Sequence, residues 1–338
     1  MSHSNISIFI PHMGCPNACS FCDQRIISST SHAPTPDEAE DIIRGAYEHI
    51  SSPEDRAQTE IAFFGGSFTA IDRDYMVALL ERASKYLKTP EQDGFRSIRI
   101  STRPDCIDEE ILMLLKKFGV GAIELGAQSM RDSVLNANLR GHTAEDVKRA
   151  SRLIKEMGFE LGLQMMVGLY KSTHEDEIFT MNEIIGICPK TVRIYPVAVL
   201  RGTYLAELFD KGEYVLYPFD ECISLCARLM KGFTEAGIKI IRLGLHAEES
   251  VEDRSVAGFY HPALGELVRS EWVKGIIENE LSESGFAECR AANRNMSILV
   301  GHKRSNRAYF ADKRVSFIRD DSLPPEIISV NGREFTIQ

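Results

Sequence analysis

The chain has 338 residues, 43% of them hydrophobic and 26% charged, and a formal net charge of -10. That length suits an α/β barrel and buries roughly three quarters of the unfolded surface; no apolar run reaches the roughly 18 residues of a membrane span, and the acidic balance argues against a protein that coats nucleic acid while leaving room for a local basic patch. The opening MSHSNISIFIPH has no basic flank or cleavage site, so the expectation is a cytoplasmic protein with no membrane association, whose eight cysteines serve as metal ligands or redox groups rather than as disulfides.

In chain order, apolar runs that read as strands fall at 6–11, 60–64, 97–102, 122–126, 161–167, 192–197 and 239–245. Helix-period segments lie between them. Thr35, with Pro36 and Glu38 behind it, has the pattern of a capping box, and Thr143 and Thr173, each with Asp three residues on, are similar helix starts. Gly119, Gly158, Pro189 and Gly237 close helices. Near-continuous apolar strands joined by helices imply a parallel sheet covered on both faces with right-handed crossovers. The fold class expected is α/β, a partial (β/α)6 TIM-like barrel over residues 1–246, followed at 247–338 by a small α+β extension. In that extension a long helix at 262–284 precedes strand-like runs at 296–300, 307–310, 315–318, 327–330 and 334–337.

In barrels of parallel strands, chemistry sits at the C-terminal ends of the strands. There, directly after the first run, the sequence reads CPNACSFC, with Cys15, Cys19 and Cys22 and no fourth thiol. Spacings of three and two residues let one loop wrap a compact cluster. A structural zinc site would call for four closed ligands, usually in two separated pairs, whereas three thiolates leave one iron of a 4Fe-4S cluster open. A zinc knuckle or three buried thiols are the alternatives on spacing alone.

This CxxxCxxC loop resembles that of the radical S-adenosylmethionine (SAM) enzymes. The resemblance implies that the methionine moiety of SAM chelates the open iron, and that an electron from the reduced cluster breaks a carbon–sulfur bond to give a 5'-deoxyadenosyl radical. Phe21, between the second and third cysteines, would lie against the adenine. FFGGSFTAI follows the second strand: Gly65 and Gly66 permit close backbone approach. In register with the cysteine loop they look like the family's GGE segment, with Ser67 in place of the acid. STRPDCID, ELGAQSM, NLRGHT and LGLQMMVGL follow at the next strand ends. Polar Glu124, Gln128 and Gln164 on apolar strands need partners, which a ligand-lined barrel mouth would supply.

These strings resemble the cofactor segments of the coproporphyrinogen-dehydrogenase and Elongator branches. By that resemblance Gln128, Arg140 and Gln164 are cofactor contacts, Arg140 pairing with the carboxylate; Ser101, Thr102 and Tyr195 are further candidates. TRPD, GAQS, RGHT and IYPVAVLRGTYLAELFDKGEY, spread over residues 5–245, are similar to the radical domain of the Elongator catalytic-subunit family. That family modifies the wobble uridine of tRNA with the help of an acetyltransferase domain. About ninety residues follow the barrel, too few for such a domain, so dependence on acetyl-coenzyme A is not expected.

The resemblance further implies an electron donor such as flavodoxin or ferredoxin. Between residues 290 and 314 stand Arg290, Arg294, Lys303, Arg304, Arg307, Lys313 and Arg314 against one acid, Asp312. With Tyr309 and Phe310 they form a candidate tRNA contact, the alternative being a solvated face. Arg201 could meet substrate or phosphate, a solvated arginine being the default. Cys222 and Cys226 share one helix face and read as core; Cys106 and Cys289 would matter as hydrogen donors only at the barrel mouth; His246 and His261 are possible acid–base groups. Two competing functions are a radical enzyme acting on a porphyrin-related small molecule, in whose branch a fourth cysteine would stand where Gln24 is, and a cluster- or haem-handling protein without catalysis.

Overall fold

The computed structural model describes residues 4–15, 19–28, 32–245 and 249–337, so His246 lies outside the described residues. Seven parallel strands make one open sheet in the order β1 (Ser4–Phe9), β2 (Thr59–Phe64), β3 (Ser97–Thr102), β4 (Val120–Gln128), β5 (Glu160–Val167), β6 (Thr191–Pro196) and β8 (Lys239–Leu243). The partial barrel is therefore six strand–helix units closed off by a seventh strand. Each of the seven strands overlaps a run read from the sequence, with ends shifted by up to two residues, as at Ser4–Phe9 against 6–11 and Val120–Gln128 against 122–126. A short antiparallel pair, β7 (Ala198–Leu200) with β9 (Ser255–Gly258), has no counterpart in that reading.

The helices start where their side chains satisfy the first free N–H groups. Reciprocal capping boxes open Pro36–His49 at Thr35, Ala144–Glu156 at Thr143 and His174–Ile187 at Thr173. Their apolar faces pack on the outer face of the sheet: Ala39 and Ile43, Val147 and Ile154, and Ile184 are all fully buried in one continuous core with Ile61, Ile98, Ile123 and Ile194. Helix Phe219–Glu235 adds Cys222 and Cys226, both fully buried with sulfurs 4.0 Å apart.

The inner face of the sheet is polar. Arg99, fully buried, donates to Glu60 (2.6 Å), Glu124 (3.3 Å) and Glu160 (3.0 Å), and Arg193 grips Glu124 with two bonds of 2.6 and 2.9 Å. Burial pushes the Glu124 carboxyl up, but Arg193 and Arg99 more than offset it, and the group sits below the usual carboxylate range.

The C-terminal region is α+β, but two of its expected strands are helices. Helix Leu264–Ser284 leads into a four-stranded sheet in the order β11 (Val315–Arg319), β10 (Ala287–Ala291), β12 (Ile327–Val330) and β13 (Arg333–Thr336). Strands were expected at 296–300 and 307–310, where helices Met296–Val300 and Ser305–Tyr309 stand instead. Met296–Val300 buries Leu299 on the small core, and Phe310, the residue that caps the end of Ser305–Tyr309, is buried there too, which a single helical turn achieves as well as a strand. β10 was missed because its buried residues, Ala287, Cys289 and Ala291, are small and alternate with charges. Cys289 is thus in this second core, away from the barrel mouth. Among the described residues no helix is long and apolar enough to cross a membrane.

Candidate active site at the ends of the strands

The cysteine loop follows β1 and is pinned from three sides. The Ser20 hydroxyl donates to Asn138 Oδ1 at 2.8 Å and its N–H to the Asn138 carbonyl at 3.1 Å, while its carbonyl accepts from Leu205 N–H at 2.7 Å. His12 Nε2 accepts the N–H of Gln24 at 2.9 Å, closing the loop behind Cys22. Gln24, standing where a fourth cysteine would be in the porphyrin branch, donates its amide to Cys22 Sγ at 3.3 Å.

The glycines after β2 serve this seating. A Cβ on Gly66 would lie 2.1 Å from the Met13 carbonyl oxygen and 2.8 Å from that of Ile10, so this face is already filled by the cysteine loop. Ser67 donates its N–H to Met13 O at 2.9 Å and places its hydroxyl 3.0 Å from that of Thr102. Thr102 also meets Thr69 Oγ1 at 2.6 Å. Ser67 and Thr102 are fully engaged in tying the loops after β2 and β3 together.

Around the thiols the charge is positive. Arg140 donates to Cys19 Sγ at 2.9 Å and to the Gly126 carbonyl at 2.7 Å. Arg103, held by Asp105 at 2.9 and 2.6 Å, is close enough to lower the Cys15 thiol. Even so, burial and then the neighbouring Cys19 raise Cys15, and the same pair of causes pushes Cys22 up to about 12. The half-exposed Cys106 lies near enough to Cys15 to add to that rise. Cys15 and Cys22 in this setting hold their protons until something cationic takes their place.

Three buried polar atoms beside them have no hydrogen-bond partner among the described residues: Gln128 Oε1, Arg140 Nε and His142 Nδ1. Gln128 ends β4 at a register shift against β5 and has a left-handed φ of 65°, a conformation that costs a non-glycine residue and that tends to occur at functional sites. His142 bonds the Ala127 carbonyl through Nε2 at 3.3 Å, and burial, then Arg140, pulls it down to about 4. Such orphaned atoms in a pocket of soft thiol donors suit a bound cluster with a polar ligand. No group of three His, Cys, Asp or Glu among the described residues is drawn into metal-holding geometry.

The remaining predicted residues ring this centre. Phe21, buried with Cys19, belongs to one apolar cluster with Leu169, Val197 and Leu205. Gln164 donates to Glu124 at 3.0 Å and to the Ser101 hydroxyl at 3.4 Å, joining the site to the ionic floor below it. Tyr195 is half-buried beside Arg193 and Arg242, and Arg201 is exposed on a loop. Sequence reasoning did not single out Arg103, Asn138 or His142. All three sit inside strings it noted, TRPD and NLRGHT; the signal for Arg103 and Asn138 was a polar residue immediately after a strand or short helix, and His142 stands in the loop before the next helix start at Thr143.

The family model for the Radical SAM superfamily matches residues 9–184, and the model for the Radical_SAM C-terminal domain matches 189–274. The tRNA uridine(34) acetyltransferase of Methanocaldococcus infernus is 34% identical over 199 residues, 53% of this chain and 36% of that protein. Elongator complex protein 3 of Schizosaccharomyces pombe is 31% identical over 202 residues, 58% of this chain and 36% of that one. The chain thus spans a little over a third of the length of these relatives. The structure of the archaeal Methanocaldococcus infernus Elp3 with its N-terminus deleted is similar with a TM-score of 0.63 at 22% identity, covering 84% of this chain and 64% of that chain, a likeness of fold.

Proposed function

Since the chain belongs to the radical SAM superfamily of enzymes, we propose that it binds a 4Fe-4S cluster through Cys15, Cys19 and Cys22 and modifies a base of tRNA. When bound, the reduced cluster and SAM together supply a 5'-deoxyadenosyl radical that takes a hydrogen atom from the substrate. The observation that carries the proposal is the meeting of the three thiols with two buried guanidiniums, Arg103 and Arg140, and the partnerless Gln128 Oε1. The guanidiniums offset the thiolate charge. Arg140 turns a free Nε, and Gln128 a free acceptor, toward an incoming carboxylate and ammonium or ribose hydroxyl. Phe21, Gly65, Gly66, Ser67, Ser101, Thr102, Gln164 and Tyr195 complete the proposed cofactor surround, with Ser67 and Thr102 acting by holding the loops. A one-electron donor of the flavodoxin or ferredoxin class delivers the reducing equivalent.

The tRNA assignment is supported by the names of the relatives and by charge. Arg294, Lys303, Arg304, Arg307, Lys313 and Arg314 are exposed, and none forms a salt bridge among the described residues, whereas Arg290 is paired with Glu288 and Asp320. Exposed Tyr309 lies under Lys274 and Lys313, 4.5 and 4.1 Å from its ring centre. A run of free cations beside an exposed ring suits a phosphate backbone.

The test is anaerobic reconstitution with iron and sulfide, then dithionite and SAM. Formation of 5'-deoxyadenosine, lost in the Cys19→Ala variant, is expected. An intact cluster with no cofactor cleavage would reject the chemistry. For the substrate, mass spectrometry of bulk RNA from cells lacking the gene should show one missing nucleoside, and an unchanged nucleoside profile rejects the tRNA assignment.

A further inference from the structure

We infer that a cavity at the open edge of the sheet seats a phosphate group of the substrate, held by Arg242, Arg269 and His261. The inference rests on the RNA reading above and adds the place where the backbone next to the reacting base is held. The cavity, of about 470 Å³, lies between the edge strand β8 and the start of helix Leu264–Ser284, and these three residues and Glu266 line it.

Arg242 is the register partner of Arg193, the arginine that grips Glu124. Its guanidinium donates to the carbonyls of Gly244 (2.8 Å) and Leu245 (2.7 Å), and among the described residues no carboxylate lies within ion-pair distance of it. Those two bonds orient the fork and leave its other donors for something else. A half-buried guanidinium beside a second arginine, with no counter-ion among the described residues, is costly unless an anion arrives. Burial, against Tyr195 and with Arg193, lowers Arg242 from its ordinary value.

The opposite wall is built to the same end. Helix Leu264–Ser284 is 21 residues long and begins at Ala263 with no side-chain cap, so the positive end of its dipole faces the cavity. Arg269 lies back along its first turn, donating to the Gly265 carbonyl at 3.1 Å; a Cβ on Gly265 would come within 3.0 Å of Arg269 Nη1. His261 Nδ1 accepts the N–H of Ala263 at 3.0 Å, which leaves the neutral ring's proton on Nε2 as a donor. Burial, then His302 and Lys303, hold His261 below its ordinary value against the opposing pull of Glu252. The acid on this wall, Glu266, is engaged by His302 Nδ1 at 3.4 Å.

Two features select a polyanion over a lone carboxylate. The His261 and His302 rings meet edge to face at 5.8 Å, and His302 leads directly to Lys303 and Arg304, exposed residues with left-handed φ of 51° and 66°. Basic side chains therefore extend from Arg242 and Arg269 at the barrel edge to Lys303 and Arg304 of the C-terminal region, with His261 as a neutral donor between them and Glu266 engaged by His302. A phosphodiester chain can occupy all of them at once.

The test uses the reconstituted full chain with Arg242→Gln, Arg242→Lys and His261→Gln variants. Each is checked for cluster content and melting temperature. Binding of tRNA is titrated across salt concentrations, and inorganic phosphate is the competitor, with chloride at matched ionic strength as control. Arg242→Gln should weaken tRNA binding about tenfold and flatten the salt slope by about one, with Arg242→Lys in between. Phosphate should compete on the wild type and not on Arg242→Gln. Equal slopes and equal phosphate competition in wild type and Arg242→Gln would overturn the site. If the wild type binds phosphate at Arg242 but binds no tRNA, the anion site stands and the RNA reading fails.

Discussion

Glu177 gives the sharpest test of how this structure handles buried charge. It is 2% exposed, in the first turn of helix His174–Ile187 behind the loop that follows β5. One of its carboxylate oxygens accepts the Gly168 N–H at 2.5 Å, and the other lies 3.4 Å from the Tyr217 hydroxyl. Among the described residues no Lys, Arg or His forms an ion pair with it; titratable neighbours that act on it or feel it are Asp176, Tyr214, Tyr217 and Cys222. Burial outweighs the Gly168, Ser172 and Tyr217 hydrogen bonds and raises the carboxyl from 4.5 to about 7. A carboxyl whose pKa is higher in the folded chain than in the unfolded one stabilises the fold below the lower value, and that contribution is lost as pH rises toward the higher one. At about 1.4 kcal/mol per pH unit the loss between pH 4.5 and pH 7 comes to about 3 kcal/mol. For a chain of 338 residues that is about 4 °C in melting temperature. Glu177→Gln keeps the size and an acceptor for Gly168 but cannot ionise. Melting followed by circular dichroism at pH values on both sides of neutrality should show the variant gaining on the wild type as pH rises, and levelling off above about 8. A wild-type-minus-variant difference that does not change with pH would refute the argument.

Removing the Arg99 guanidinium takes away the 2.6 Å ion pair of buried Glu60 and one of the two arginines on Glu124, so Arg99→Met should cost about 3–5 kcal/mol in urea unfolding, and adding Glu60→Gln should return part of it. Gly66→Ala sets a methyl against the Met13 carbonyl and should unseat the cysteine loop, read as iron content per chain falling after reconstitution, while Gly45→Ala, where nothing lies within 4 Å, should leave it unchanged. Asn138→Ala removes the side-chain acceptor for Ser20 and the donor to the Tyr170 carbonyl, at 2.9 Å, and should cost about 1–3 kcal/mol and slow cluster retention in a chelator chase. Arg304→Glu with Arg307→Glu should weaken tRNA binding in filter assays most at low salt, and an unchanged affinity would remove the C-terminal region from the RNA surface.

The strand ladder was legible because the outer face of each strand is a short apolar set such as Ile61, Ile98, Ile123 and Ile194, while the buried ionic network of the inner face, Glu60, Arg99, Glu124 and Arg193, was not expected of a sheet covered on both faces; the helix starts have local signals in Thr35, Thr143 and Thr173. The C-terminal region was less so. Met296–Val300 and Ser305–Tyr309 are single turns with one buried anchor each, too short for a period to be expressed, and β10 buries only small side chains between Glu288 and Arg290.

At the site, what could be read is what one loop carries alone. Cys15, Cys19 and Cys22 declare themselves by spacing, as three thiols on one loop must come near one another. What could not be read is which distant groups meet that loop. Asn138 touches Ser20 across 118 residues, Arg140 reaches Cys19 across 121, and the glycines at 65 and 66 turn out to face carbonyls of the cysteine loop. A Gly-Gly at a strand end has the same sequence whether a ligand or a neighbouring backbone approaches it, and only register decides between them. Arg242 shows the same limit from the other direction. An arginine on an edge strand is unremarkable in sequence, and its proposed role follows from β8 setting it beside Arg193, where no carboxylate among the described residues pairs with it.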